Sequence, residues 1–77
     1  MQITKAFGKA LRELRKKKHL TQEQLGFEAD LRRTFVSTLE LGQKQPTIST
    51  IFKLANGLKI KPSELIAAVE KELESSR

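Results

Sequence analysis

Hydrophobic residues recur every three or four positions along the chain, and no strand-length stretch alternates between apolar and polar residues. This spacing is typical of amphipathic helices, so the sequence predicts an all-α fold. We predict five helices, at about 4–18, 22–29, 33–41, 48–57 and 62–74. Their expected buried faces are, in chain order, Ile3, Phe7, Ala10, Leu11 and Leu14; Leu25 and Ala29; Phe35, Val36 and Leu39; Ile48, Ile51, Phe52, Ala55 and Leu58; and Leu65, Ile66, Val69 and Leu73.

Residues that favour helix ends stand at the predicted boundaries. Thr21 with Gln24 three positions later predicts a capping box at the start of the second helix. Thr47 is a good N-cap for the fourth helix, and Pro62 suits the first turn of the fifth. Gly42 is suited to a left-handed C-terminal cap after the third. The short connections predict one domain over residues 1–77, with its core at about 4–74.

The chain has 77 residues with 15 Lys and Arg against 9 Asp and Glu, a net charge of +6. This excess predicts attraction to a polyanion, either nucleic acid or an acidic membrane surface. No apolar run approaches the roughly 20 residues that a membrane span needs. Lys5 and Lys9 interrupt the apolar N-terminus, which argues against a signal peptide. We therefore expect a soluble cytoplasmic protein that does not span a membrane.

Few residues are suited to catalysis or metal binding. The chain has no Cys, and its one His, His19, has no neighbours that would complete a metal site or a catalytic set. There is also no Gly-rich phosphate loop. We expect no enzymatic activity, no metal, no cofactor and no small-molecule effector. The carboxylates of the fifth helix are expected to form a solvated face.

The segment from Thr21 to Gly42 predicts two short helices joined by a tight turn. Gly26 stands where the two backbones must approach, although Gly costs about 1 kcal/mol relative to Ala inside a helix. Asp30 stands in the turn, where a residue that tolerates positive φ is needed. Val36 supplies a branched apolar side chain on the facing helix. This arrangement indicates a helix-turn-helix.

The stretch LTQEQLGFEADLRRTFVSTLELGQKQPTISTIFKLANGLKI resembles the lambda-repressor-like, or XRE, family of helix-turn-helix regulators. The elements that carry the resemblance are Leu-Thr-Gln at 20–22, Leu39-Glu40-x-Gly42, Pro46, and Leu54-Ala55 followed by Leu58. The stretch at 33–37, Arg-Thr-Phe-Val-Ser, is most similar to controller proteins of restriction–modification systems. Two positions depart from the family pattern: Asp30 replaces a smaller turn residue, and Lys61 replaces a capping Ser or Asp.

The resemblance implies that the third helix enters the major groove of DNA by its N-terminal part. The residues that it places against base edges are Arg33, Thr34, Ser37 and Thr38. Arginine binds guanine bidentately, and threonine offers a hydroxyl and a methyl group. The residues that it places against phosphates are Gln22, Arg32 and Lys44. Plain solvation of a polar helix face or first turn is the alternative interpretation of these residues.

The resemblance also implies a salt bridge between Arg15 and Glu40 that would hold the third helix at its angle. Arg15 is alternatively one more solvated cation in the basic run at 15–18. The family commonly forms homodimers through the C-terminal helix, and Ile66, Val69 and Leu73 are the expected interface residues. Two recognition helices would then lie about 34 Å apart on a pseudo-palindromic site.

These features together predict a sequence-specific regulator of transcription that binds double-stranded DNA as a dimer. The alternative is an antitoxin-type protein that binds both DNA and a protein toxin, since the same fold serves that function. A further possibility, an amphipathic membrane-surface binder, has only the basic first helix in its favour, and we expect no membrane partner.

Overall fold

The computed structural model describes residues 2–75 and contains five α-helices over that range. They are α1 (Ile3–Lys17), α2 (Gln22–Ala29), α3 (Arg33–Glu40), α4 (Ile48–Leu58) and α5 (Pro62–Ser75). The all-α prediction is confirmed, and each predicted boundary lies within one residue of the observed one. Of the expected domain, Met1, Ser76 and Arg77 lie outside the described residues.

Hydrogen-bonded caps are present at the helix starts that the sequence predicted. The capping box of α2 is complete: Thr21 Oγ1 accepts from the Gln24 backbone N–H at 3.0 Å, and the Thr21 N–H donates to Gln24 Oε1 at 2.8 Å. Thr47 accepts from the Thr50 N–H at the start of α4. At Lys61, the backbone N–H donates to Glu64 Oε1 at 3.0 Å, so half of a capping box replaces the missing side-chain cap.

Left-handed residues other than glycine terminate three helices. Asp30 has φ 57° and ψ 46° after α2, and the Leu31 N–H behind it donates to the Gly26 carbonyl at 2.8 Å. Asp30 thus takes the left-handed position that glycine commonly occupies at the end of a helix. Short polar side chains tolerate the left-handed conformation better than most other side chains do. His19 and Lys59 take the same conformation after α1 and α4. His19 therefore has a structural position at the end of α1.

The core lies where all five helices meet. α1 contacts α3 and α5, α2 contacts α3 and α4, and α4 also contacts α5. The largest fully buried side chains come from every helix and are Leu11, Leu25, Val36, Leu39, Leu54, Leu58 and Leu65. Aliphatic side chains of this size contribute most of the stabilisation in such a core, at about 1.5–3 kcal/mol for each one buried.

The prediction for the buried face of α4 was wrong in part. Ile48 is 74% exposed and Phe52 is 59% exposed, whereas Leu54, which that face omitted, is fully buried. Helical spacing allows two overlapping apolar stripes on α4, and α2 and α5 cover the one that contains Leu54, Ala55 and Leu58. Ile3 at the start of α1 is likewise 59% exposed.

Gly8 allows α1 to approach the last turn of α3. A Cβ atom at this position would lie 2.5 Å from the carbonyl oxygens of both Leu39 and Glu40. Two backbone oxygens at that distance cannot move aside by rotating a side chain. Any residue larger than glycine would therefore push α1 away from α3.

We expect Gly8→Ala to lower the free energy of unfolding by about 1–3 kcal/mol, because overpacking against backbone costs more than the helix propensity of alanine returns. Urea denaturation followed by circular dichroism measures this loss. Arg12→Ala, a change at an exposed position of the same helix, is the control and should stay within about 0.5 kcal/mol. If the two variants were equally stable, α1 and the last turn of α3 would not be in close backbone contact at Gly8.

Candidate nucleic-acid interface

α2, the turn at 30–32 and α3 pack against one another as one unit. Gly26 faces the turn, where a Cβ atom would lie 2.7 Å from the Leu31 carbonyl oxygen and 3.4 Å from the Arg33 nitrogen. Val36 of α3 and Leu25 of α2 are fully buried in the seam. The predicted roles of Gly26 in close approach and of Asp30 in the turn are both confirmed by this geometry. The unit leaves the outer face of α3 uncovered.

The polar face of α3 carries the four residues predicted to contact bases. Arg33 and Thr34, in the first turn, are exposed, while Ser37 and Thr38, one turn later, are half-buried. The Thr38 hydroxyl donates to the Thr34 carbonyl at 2.9 Å. Its hydrogen is therefore occupied, which leaves the oxygen lone pairs and the methyl group to face a ligand.

The residues predicted to contact phosphates flank this face. Arg32 is the N-cap residue of α3 and is exposed, and Lys44 is exposed in the loop after α3. Gln22 is the first residue of α2 and is half-buried. Gln22 and Arg33 line the same shallow hollow between the starts of α2 and α3. Of the predicted contact residues, Gln22 and Arg33 thus line one hollow, together with Glu23, and the exposed cations at the two ends of α3 are Arg32, Arg33 and Lys44.

Arg15 and Glu40 form a buried salt bridge behind this surface. Arg15 Nε lies 2.6 Å from Glu40 Oε2, and Arg15 Nη2 lies 3.0 Å from Glu40 Oε1. The side chains are only 10% and 4% exposed. The hydrogen bonds to Glu40 raise the pKa of Arg15, so the guanidinium stays charged. This geometry excludes the alternative in which Arg15 is a solvated cation.

Arg15 and Glu40 each form a hydrogen bond with one further group. The sequence predicted neither of these two bonds. Arg15 Nη1 donates to the Leu20 carbonyl at 2.7 Å, in the loop between α1 and α2. Gln22 Nε2 donates to Glu40 Oε1 at 3.0 Å. α1, the start of α2 and the end of α3 are therefore joined at one carboxylate. The sequence gives no signal for the Gln22 bond, because the two residues are 18 positions apart and on different helices.

The three residues expected at a dimer interface differ in their exposure to solvent. Ile66 is 47% exposed, Leu73 is half-buried, and Val69 packs in the core of its own chain. Ile66 and Val69 line an apolar groove with Ile3, Phe7, Pro46 and Ile51. Ile48 is three residues before Ile51 and four before Phe52, so helical spacing places exposed apolar side chains next to the groove along α4.

No metal-binding cluster of His, Asp or Glu occurs among residues 2–75. Within the same range, no helix combines the length and the apolar character that crossing a membrane requires.

The α2–turn–α3 unit occurs in a known protein family. The helix-turn-helix family matches residues 11–65 of the chain, which include all of the α2–turn–α3 unit. The chain belongs to the helix-turn-helix family. Members of this family are DNA-binding regulators of transcription rather than enzymes.

Individual relatives narrow the type of regulator. The chain is 40% identical over 67 residues to control protein C.MunI of a Mycoplasma species, covering 86% of this chain and 90% of that protein. It is 36% identical over 61 residues to control protein C.BamHI of Bacillus amyloliquefaciens, covering 78% and 75%. The chain is thus a helix-turn-helix transcription regulator of the controller-protein type.

A solved structure agrees with the sequence relatives. The restriction-modification controller protein C.AhdI of Aeromonas hydrophila is 45% identical, with a TM-score of 0.78 over 80% of this chain and 94% of that one. The clp gene regulator ClgR of Corynebacterium glutamicum superposes with a TM-score of 0.92 at 20% identity, which shows the shared fold alone.

We expect Arg15→Met to lower the free energy of unfolding by about 3–5 kcal/mol, since it leaves the Glu40 carboxylate buried without a cation. Lys16→Met, at an exposed neighbour, is the control and should change little. The double change Arg15→Met with Glu40→Met should recover most of the loss, because an apolar pair of similar volume replaces the ions. Urea denaturation measures all three. A small loss for Arg15→Met alone would contradict the buried pair.

Proposed function

We propose that this chain binds a specific operator in double-stranded DNA as a homodimer, with α3 of each protomer in the major groove. The observation that carries the proposal is the polar, basic outer face of α3, held in a helix-turn-helix and bordered by Arg32 and Lys44. The net charge of +6 favours a polyanionic partner.

The residues of that surface divide by position into two roles. Arg33, Thr34, Ser37 and Thr38 lie on one side of α3, where they would meet base edges and supply sequence readout. Gln22 begins α2, Arg32 precedes α3 and Lys44 follows it, and we propose that these three bind phosphates and set the register of the protein on the duplex. Gln22 is further suited to a phosphate because it opens a helix, whose first N–H groups attract anions.

The regulated genes that we propose are those of a restriction–modification system. C.AhdI is described as a restriction-modification controller protein, and C.MunI and C.BamHI are described as control proteins. All three match this chain over most of their own length, which includes the proposed DNA surface.

We expect Arg33→Ala to weaken operator binding by about 1–3 kcal/mol and to relax the preference at one or two base pairs. Lys44→Ala should weaken binding to every duplex alike and reduce the salt dependence by about one counterion. Fluorescence anisotropy against matched and mismatched duplexes, over a range of salt concentrations, separates the two effects. If both variants lost affinity by the same factor on all sequences, the division into base and phosphate contacts would be wrong.

The dimer is proposed to form through the apolar surface of α5 and α4, with Ile66 at its centre. Ile66, Ile48, Phe52 and Ile3 are four large apolar side chains that their own chain leaves exposed. Leu73 is seven residues after Ile66, so helical spacing places it on the same face of α5. Val69 lines the groove from the core. Burying these side chains against a second copy would remove them from water and so favour association.

We expect the protein to sediment as a dimer at micromolar concentration and Ile66→Lys to be a folded monomer, because a lysine would be desolvated in an apolar interface. Phe27→Lys is the matched control: Phe27 is 85% exposed on α2 and lines a different hollow from that of Ile66, so this variant should remain dimeric. A wild-type protein that sediments as a monomer at high micromolar concentration would refute the proposed dimer.

A further inference from the structure

The Gln22 side chain is held in one orientation by the carboxylate of Glu40. Gln22 Nε2 lies 3.0 Å from Glu40 Oε1. An ionised carboxylate only accepts hydrogen bonds, so the amide nitrogen of Gln22, and not its oxygen, must face Glu40. One N–H and the amide oxygen of Gln22 are then left for a ligand at the mouth of the hollow that Gln22 shares with Arg33.

Glu40 itself is poorly placed to contact DNA. Its side chain is 4% exposed, and both of its oxygens accept bonds from Arg15. A bare carboxylate so close to a phosphate site would repel the phosphate, and the bidentate contact with Arg15 offsets that charge. The pair therefore offers Gln22 a fixed acceptor whose charge is already offset. The carboxylate that an anion in the hollow would meet is that of Glu23, and Arg33 on the same hollow is the cation that opposes it.

A fixed amide has a consequence for binding. A free glutamine side chain has several rotamers and loses that freedom when it binds a phosphate, which weakens the complex. The bond to Glu40 removes this freedom during folding, before any DNA arrives. The contact is then preorganised. Its strength depends on Glu40, which lies on the neighbouring helix α3.

We propose that Glu40 is a positioning residue for DNA binding, which acts by holding the Gln22 amide toward a backbone phosphate. The proposal rests on the function proposed above, in which Gln22 contacts phosphate. It assigns to the buried pair a role beyond fixing the angle of α3.

A double-mutant cycle in duplex binding tests this role. The variants are Gln22→Ala, Glu40→Gln and the double variant, and the probe is a mixed-sequence duplex at low salt, where phosphate contacts dominate affinity. Gln22→Ala should weaken binding about tenfold, the loss typical of a hydrogen bond to a charged group. Glu40→Gln should weaken it by a few-fold in the wild-type background and by less than about twofold once Gln22 is absent.

The outcomes separate the two proposals. If Glu40 only sets the angle of α3, Glu40→Gln will cost the same factor in both backgrounds, and the positioning role is overturned. If Gln22→Ala binds as tightly as the wild type, Gln22 makes no phosphate contact, and the inference also fails. A wild-type protein that does not bind duplex DNA at all would instead refute the proposed function itself.

Nuclear magnetic resonance supplies a test that needs no variant and so survives if Glu40→Gln does not fold. The side-chain amide of Gln22 should be as rigid as the helix backbone in the free protein, as measured by the heteronuclear Overhauser effect. Gln43 and Gln45, which are exposed in the loop after α3, are internal controls and should be mobile. A Gln22 amide as mobile as these two would overturn the proposal.

Discussion

The salt bridge between Arg15 and Glu40 joins the helices that carry the proposed DNA-binding surface. Its geometry joins α1, the loop at Leu20, the start of α2 and the end of α3 within four hydrogen bonds. Replacing such a buried pair by apolar residues often costs little stability, so the pair is better explained by the geometry that it imposes. Gly8 supports the same geometry from the backbone, because it lets α1 approach the carbonyl oxygens beside Glu40.

Local signals made most of the fold predictable from the sequence. The boundaries of α2 follow from the Thr21–Gln24 capping box and from Asp30, and both act through bonds to residues a few positions away. The faces of α4 could not be assigned in the same way. Ile48 and Phe52 satisfy helical periodicity as well as Leu54 does, and only the placement of α2 and α5 decides which stripe is covered.

The candidate site, too, could be predicted from the sequence only in part. The Arg15–Glu40 pair was expected from the family resemblance, and the exposed face of α3 from its polar residues. The bond from Gln22 to Glu40 and the role of Gly8 required the structure, because each joins residues far apart in sequence through tertiary packing. The apolar surface around Ile66 was expected on α5, but its extension onto α4 emerged only when Ile48 and Phe52 proved exposed.

We propose that the outer face of α3 reads a specific DNA sequence, with two copies on one site. Selection of bound sequences from a pool of random duplex DNA tests this proposal. We expect a pseudo-palindromic consensus whose half-sites are about one helical turn, roughly 34 Å, apart. Recovery of sequences with no consensus would contradict sequence-specific recognition, and a single unrepeated half-site would contradict binding as a symmetric dimer.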